Sequence, residues 1–255
     1  MKKFGFTLAD TPCTDTMPML HKCAFTLAEV LITLGIIGVV AALTIPSLLS
    51  NYQKRQYYTK FMKARSSLEN ALKLYAHERG CDDDPLCGKY LRDEDNSNFA
   101  LELSKYFNGA TLITDDNYEE ICKGYKKVTR NYDGTDIEED AEGLCANDIG
   151  TNPQANGFIT IDGMLFILYS DDGWGQGSMV DINGPDSGPN TYGRDIFVFY
   201  LNKEQQKDYF CNNMWGRTKA CNDNHEDKWD ELDCYDNKVG TNCAARLIDE
   251  GKMNY

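Results

Sequence analysis

The chain has 255 residues, 42% of them hydrophobic and 26% charged, which excludes disorder throughout and leaves room for one large or two small domains. Its 40 acids against 26 bases give a formal net charge of −14, so nucleic-acid phosphate is not the default partner and none is expected.

The first 24 residues carry Lys2, Lys3 and Lys22 together with two cysteines, Cys13 and Cys23. Beyond them, Val30 to Leu49 reads VLITLGIIGVVAALTIPSLL without a charged residue. A helix of about 20 such residues rises about 30 Å, the hydrocarbon thickness of a bilayer. Thr33, Thr44, Ser47 and Pro46 interrupt it, and neighbouring helices or local backbone adjustment can satisfy the groups they free. A removable secretory signal has a core of only about 7 to 15 residues, too short for this run. An ordinary single-pass anchor fits the length, but it supplies no reason for Glu29 to stand at the edge of the apolar run, where an unpaired carboxylate is costly.

From Asn51 the pattern becomes one-sided. Tyr57, Phe61, Ala64, Leu68, Ala71, Leu72 and Tyr75 recur at steps of three and four, which predicts an amphipathic helix continuing to Arg79, with Gly80 as its stop. Between Asn51 and Arg79 the bases Lys54, Arg55, Lys60, Lys63, Arg65, Lys73 and Arg79 face only the acids Glu69 and Glu78. A basic collar beside an apolar run suits anionic headgroups, while the acidic remainder suits a solvated domain.

After Gly80 the chain is polar and rich in cysteine and loops until about Gly157. Phe158 to Ile161, Asp162-Gly163 and Met164 to Tyr169 then predict a β-hairpin with a tight Asp-Gly turn, and Ile196 to Leu201 predicts a further buried strand. The expected fold is therefore α+β: a long N-terminal helix, half membrane-spanning and half amphipathic, laid on a small antiparallel sheet in a disulfide-rich headgroup. Residues 1–24 form a leader, 25–50 the transmembrane helix, 51–79 its amphipathic continuation and 80–255 the headgroup.

Of the ten cysteines, eight lie beyond the leader: Cys81, Cys87, Cys122, Cys145, Cys211, Cys221, Cys234 and Cys243. An even number at wide spacing beyond a membrane segment predicts disulfides in an oxidising compartment, in one of about 105 connectivities. A zinc site from the last four is the alternative, although no tight Cys-x-x-Cys knuckle is present. Asp181, Asn183, Asp186, Asn190 and Asp195 cluster hard oxygen ligands of the kind calcium takes, and the same residue types also build ordinary turns. Asp171 to Gly175, DDGWG, is either an aromatic-presenting loop or an exposed turn. His77 and His225 are isolated, and no nucleophile elbow, phosphate loop or metal-binding helix pattern appears, so no enzyme is expected and no cofactor is required.

Ala24-Phe25-Thr26-Leu27-Ala28-Glu29-Val30-Leu31, followed by Ile36 to Ala42 and Pro46, resembles the leader and first helix of type IV pilins and type II secretion pseudopilins. The resemblance covers closely about the first third of the mature helix-plus-linker region and hardly touches the headgroup. It implies that a membrane-embedded prepilin peptidase cuts between Ala24 and Phe25 and methylates the new amino group of Phe25. The subunit would sit single-pass in the bacterial inner membrane, headgroup outside, and then join a pilus or pseudopilus of its own or related subunits. In such a filament Glu29 would pair with the Phe25 amine of a neighbour, because a lone carboxylate in a water-free core costs several kcal/mol. Gly35, Gly38 and Pro46 would let the helix bend or partly melt on the way from lipid to filament. A calcium-binding loop near the last strand is likewise a feature of major pseudopilins. Two departures stand: Ala24 occupies the place of the family's usual Gly, and Gly5-Phe6-Thr7-Leu8-Ala9-Asp10 echoes the leader without an apolar core behind it. The competing function is a membrane-tethered extracytoplasmic binding module that never polymerises.

Overall fold

The computed structural model describes residues 26–81, 93–114, 116–121, 123, 132, 134–135, 157–171, 175–200, 212–213, 216–217, 234, 240 and 243–255. Outside them lie Ala24 and Phe25, the echo at 5–10, Trp174, His225, and Cys13, Cys23, Cys87, Cys122, Cys145, Cys211 and Cys221. The chain divides into two units, Met1–Leu49 and Ser50–Tyr255, to which helix α1 (Leu27–Glu78, 52 residues) contributes in turn.

In the first unit every described residue except Ala41 is exposed, including all the large aliphatic side chains from Leu27 to Leu49. This stretch of α1 is long and apolar enough to cross a membrane, and none of its 18-residue apolar window is buried within the protein. Its hydroxyls are absorbed by the helix itself: Thr33 Oγ1 donates to the Val30 carbonyl at 3.0 Å and Thr44 Oγ1 to the Val40 carbonyl at 2.9 Å. Pro46 lies within the helix. A Cβ added at Gly35 or Gly38 would meet nothing within 4 Å among the described residues.

In the second unit the predicted stripe is the buried face of α1: Phe61, Ala64, Leu68, Ala71, Leu72 and Tyr75, joined by Ala76. The helix stops at Gly80 through a positive φ of 67°, with Gly80 N donating to His77 O at 3.1 Å and Cys81 N to Ala76 O at 3.0 Å. This double closure satisfies two carbonyls that a helix end leaves unpaired, and glycine adopts the left-handed conformation without a Cβ clash.

The stripe packs on a five-stranded antiparallel meander of order β1 (Thr111–Leu112), β2 (Gly157–Ile159), β3 (Leu165–Asp171), β4 (Gly175–Asp181) and β5 (Ile196–Tyr200). Strand alternation sorts the side chains between two faces. Phe158, Phe166, Leu168, Val180, Phe197 and Phe199 join the α1 core, which also takes Phe99, Ala100 and Leu103 of α2 (Asp93–Ser104). Leu165, Ile167, Met179, Ile196 and Val198 form a second cluster on the other side with Ile113 and Tyr192, partly covered by Tyr118 and Ile121 of the single-turn α3 (Tyr118–Ile121). Phe61 sits under the sheet, its ring 4.8 Å from Phe197 and 5.6 Å from Phe199.

The hairpin is present, but its connection differs from the expected two-residue turn. Gly163 N donates to Thr160 O and Thr160 N to Met164 O, each at 2.9 Å, and Gly163 has φ of 83°. A two-residue turn of that type would need positive φ at Asp162 as well; instead a turn over Ile161-Asp162 ends in a left-handed glycine that takes up one extra residue. Asp162 is thereby free to bind Lys63 Nζ at 2.7 Å, tying the loop to α1.

A short ribbon, β6 (Asn212–Asn213) with β7 (Gly216–Arg217), precedes helix α4 (Cys243–Glu250). Ala244 and Leu247 enter the main core from α4. Cys234 and Cys243 are joined in a disulfide, and Cys81 is also disulfide-bonded. That bridge removes two of the four thiols on which a zinc reading depended, because a disulfide sulfur is not a thiolate ligand. The loop it closes spans 9 residues, which a chain-entropy estimate values at roughly 2–3 kcal/mol. Gly193, with φ of 77°, lies so near the bridge that a Cβ there would fall 2.5 Å from Cys243 Sγ.

Candidate functional site

Two places gather the residues singled out from sequence: the start of α1, and the connection between β4 and β5. At the first, Glu29 does not stand alone. Its Oε2 accepts from both Thr26 N and Thr26 Oγ1 at 2.8 Å, and Glu29 N donates to Thr26 Oγ1 at 3.2 Å. This is a reciprocal capping box, in which a residue just before the helix and one three positions later satisfy each other's free amides. The Thr-x-x-Glu spacing before an apolar run was visible in the sequence, and it gives Glu29 a role within one chain. Cleavage before Phe25 would leave Thr26 N–H in place, so the cap is compatible with processing.

The second place is built by two buried aspartates at adjoining strand ends. Asp181 closes β4, opposite Ile196 at the start of β5, and Asp195 immediately precedes that strand. Both are fully buried. Asp181 Oδ1 accepts from Asn183 N and Gly184 N, each at 2.9 Å, which folds the chain sharply out of β4. Asp195 uses both oxygens: Oδ2 accepts from Asn190 N at 2.8 Å and Oδ1 from Thr191 N at 2.7 Å. Asn190 occupies the left-handed region at φ 52°, which Asn tolerates better than most side chains.

The loop's two asparagines are fixed by their amide nitrogens. Asn183 Nδ2 donates to Ser187 O at 2.7 Å and Gly188 O at 3.2 Å, and Asn190 Nδ2 donates to Pro185 O at 3.1 Å. Their oxygens therefore point the other way, and Asn183 Oδ1 and Asn190 Oδ1 are buried without a hydrogen-bond partner among the described residues. Orphaned, inward-facing amide oxygens are what a hard cation accepts. Asp186, by contrast, is exposed on the outside of the loop. Among the described residues no three His, Cys, Asp or Glu side chains converge as a metal site. The sequence placed these five residues in one segment, while the division into buried Asp181, Asn190 and Asp195, half-buried Asn183 and exposed Asp186 arises only in the folded loop.

No protein-family model, no curated protein and no solved structure aligns with this chain, so its chemistry is read from its own residues.

Burial raises the Asp195 carboxyl to about 6, overcoming the amides of Thr191 and Asn190 and the Asn183 side chain that favour its ionised form. The phenol of Tyr57 on α1 is also raised, first by its own burial and then by the negative charges of Asp195 and Asp181. Since an unfolded aspartate ionises near pH 3.9, the folded state holds this proton more tightly. Its stabilisation is full below about pH 4 and is lost as pH rises through 6, an effect of roughly 2–3 kcal/mol. Denaturant titration of the full chain in detergent at pH 4 and pH 7 is expected to show most of this component, and Asp195→Asn to remove it.

Proposed function

We propose that this chain is the precursor of a type IV pilin-like or type II secretion pseudopilin-like structural subunit. It is cut between Ala24 and Phe25, methylated on Phe25, held single-pass in the bacterial inner membrane with its headgroup outside, and assembled into a filament through the apolar part of α1. The observation that carries this reading is the uneven cover of α1: from Leu27 to Leu49 its apolar side chains are exposed, and from Phe61 to Ala76 one face of it is packed in the core beside a sheet. A bare apolar helix needs lipid, other helices, or each in turn. The leader residues beside it, with Phe25 and Glu29 in the pilin arrangement, favour lipid followed by other copies. N-terminal sequencing of the membrane or filament fraction is expected to read Phe-Thr-Leu-Ala-Glu, and an intact Met1 terminus would overturn the processing step.

The capping box favours a second reading. Because Thr26 already satisfies Glu29, the carboxylate does not require a neighbour's amine, and the chain could serve as a monomeric tethered binding module.

In either case the aspartate loop carries buried oxygens of the kind calcium takes, Asn183 Oδ1 and Asn190 Oδ1 beside the Asp195 carboxylate. Calcium at about 100 times its dissociation constant would add about 2.7 kcal/mol. For a domain of this size that is expected to raise Tm by roughly 5–10 °C, reversed by chelator. An unchanged Tm removes the ion from the proposal.

A further inference from the structure

We infer that Lys54, Arg55 and Lys60 form a collar that binds the anionic headgroups of phospholipids in the leaflet the headgroup faces. The inference rests on the reading of α1 as membrane-spanning and adds a specific ligand to it. Of the seven cations between Asn51 and Arg79, Lys63 is bound to Asp162 at 2.7 Å, Lys73 to Glu69 at 2.6 Å and Arg79 to Glu102 at 2.8 Å. Lys54, Arg55 and Lys60 have no carboxylate partner among the described residues, and Arg55 and Lys60 are exposed. They are also the three that follow the apolar run most closely. From Val30 to Leu68 the sequence contains no Asp or Glu, although the whole chain carries a net charge of −14.

Their placement around the helix is that of a ring. At about 100° per residue, Arg55 and Lys60 lie roughly 100–120° to either side of the buried Phe61 face. Tyr52, 57% exposed, occupies the outer side between them, and Tyr57 and Tyr58 flank the buried side, half-covered. Tyrosines with bases at the end of an apolar helix match the layer where hydrocarbon gives way to headgroups, since each ring has an apolar body and a polar tip. The long stems of lysine and arginine let the charge reach outward to phosphate. An acidic face of a second copy would satisfy the charges too, but it gives no reason for exposed Tyr52 among them.

The test uses the full chain in phosphatidylcholine vesicles containing a trace of spin-labelled phosphatidylglycerol or spin-labelled phosphatidylcholine, with the motionally restricted fraction read by electron paramagnetic resonance. One cation near an anionic headgroup is worth roughly a fivefold preference at low salt, so at least about fivefold selection of phosphatidylglycerol is expected. It should fall toward parity in 1 M salt and in the triple variant K54Q/R55Q/K60Q, and persist in K73Q, whose lysine is bound to Glu69. Equal restriction of both lipids by the unaltered chain overturns the inference, as does a preference that survives the triple change. So does a triple variant that keeps its lipid preference but loses cross-linking between copies, which would assign the collar to a neighbouring subunit. Carbonate extraction separates the two levels: a chain retained in vesicles without lipid preference refutes the collar alone, and a chain released from them refutes the membrane reading as well.

Discussion

Glu29→Ala is expected to abolish filament assembly while leaving membrane insertion and headgroup stability unchanged. In a filament core the carboxylate and the Phe25 amine of a neighbour would both be out of water, and removing one partner of such a pair costs about 3–5 kcal/mol because the other stays buried and unpaired. That exceeds a hundredfold in each subunit contact. The capping box supplies the control. Thr26→Ala removes the hydroxyl that binds Glu29 Oε2 and costs about 1 kcal/mol at the helix start, but it retains the charge. Glu29→Gln retains an acceptor oxygen for Thr26 and removes the charge. If the carboxylate serves an intersubunit pair, Gln fails like Ala and Thr26→Ala assembles. If its work is the cap alone, Gln behaves as the native residue. Sedimentation of sheared filaments, alongside carbonate extraction to confirm insertion, distinguishes the two; normal filaments from Glu29→Ala would remove the intersubunit pair, and a native chain that inserts but forms no filament would leave the tethered module as the surviving function.

What could be read from sequence followed from how each element obtains its stability. The α1 stripe was legible because seven apolar positions repeat at helical spacing, and the folded helix buries six of them, with Tyr57 half-covered. β3 and β5 were legible as compact apolar runs. β4 was not, since GQGSMVD has poor strand propensity and becomes a strand by pairing on both edges, with β3 over its full length and with β5. α4 escaped for another reason: its eight residues give little more than two turns of pattern, of which Ala244 and Leu247 reach the main core, and Cys243 at its start is tied to Cys234. That pairing could not be chosen among the alternatives from spacing. At the aspartate loop the residue types were visible, but which aspartate is buried depends on strand register, which places Asp181 opposite Ile196. Glu29 shows the opposite case: its Thr26-x-x-Glu29 cap is a local motif complete in the sequence itself.

Phe61→Ala is expected to be the most damaging substitution in the headgroup, destabilising it by about 3–5 kcal/mol. Phe61 is fully buried, and its ring packs edge-on to Phe197 and stacks with Phe199, so truncation opens a void at the junction of α1 and β5 rather than at a yielding margin. Neighbours cannot easily fill it: Phe197 and Phe199 are held by strand pairing with Val180 and Ser178, and Ala64 and Leu68 are fixed on the same helix. Phe61→Leu, which keeps most of the volume and loses the ring contacts, should cost less than half as much. Denaturant unfolding of the full chain in detergent, followed by near-ultraviolet circular dichroism, measures both. The functional pattern should be the reverse of that for Glu29. A Phe61→Ala chain keeps its apolar segment and inserts, but a sheet loosened from α1 exposes apolar faces of both, so it is expected to be degraded or aggregated before assembly. Equal stability of Phe61→Ala and the native chain would mean that α1 does not depend on the sheet, and the division of this helix into a bare half and a covered half would lose its physical basis.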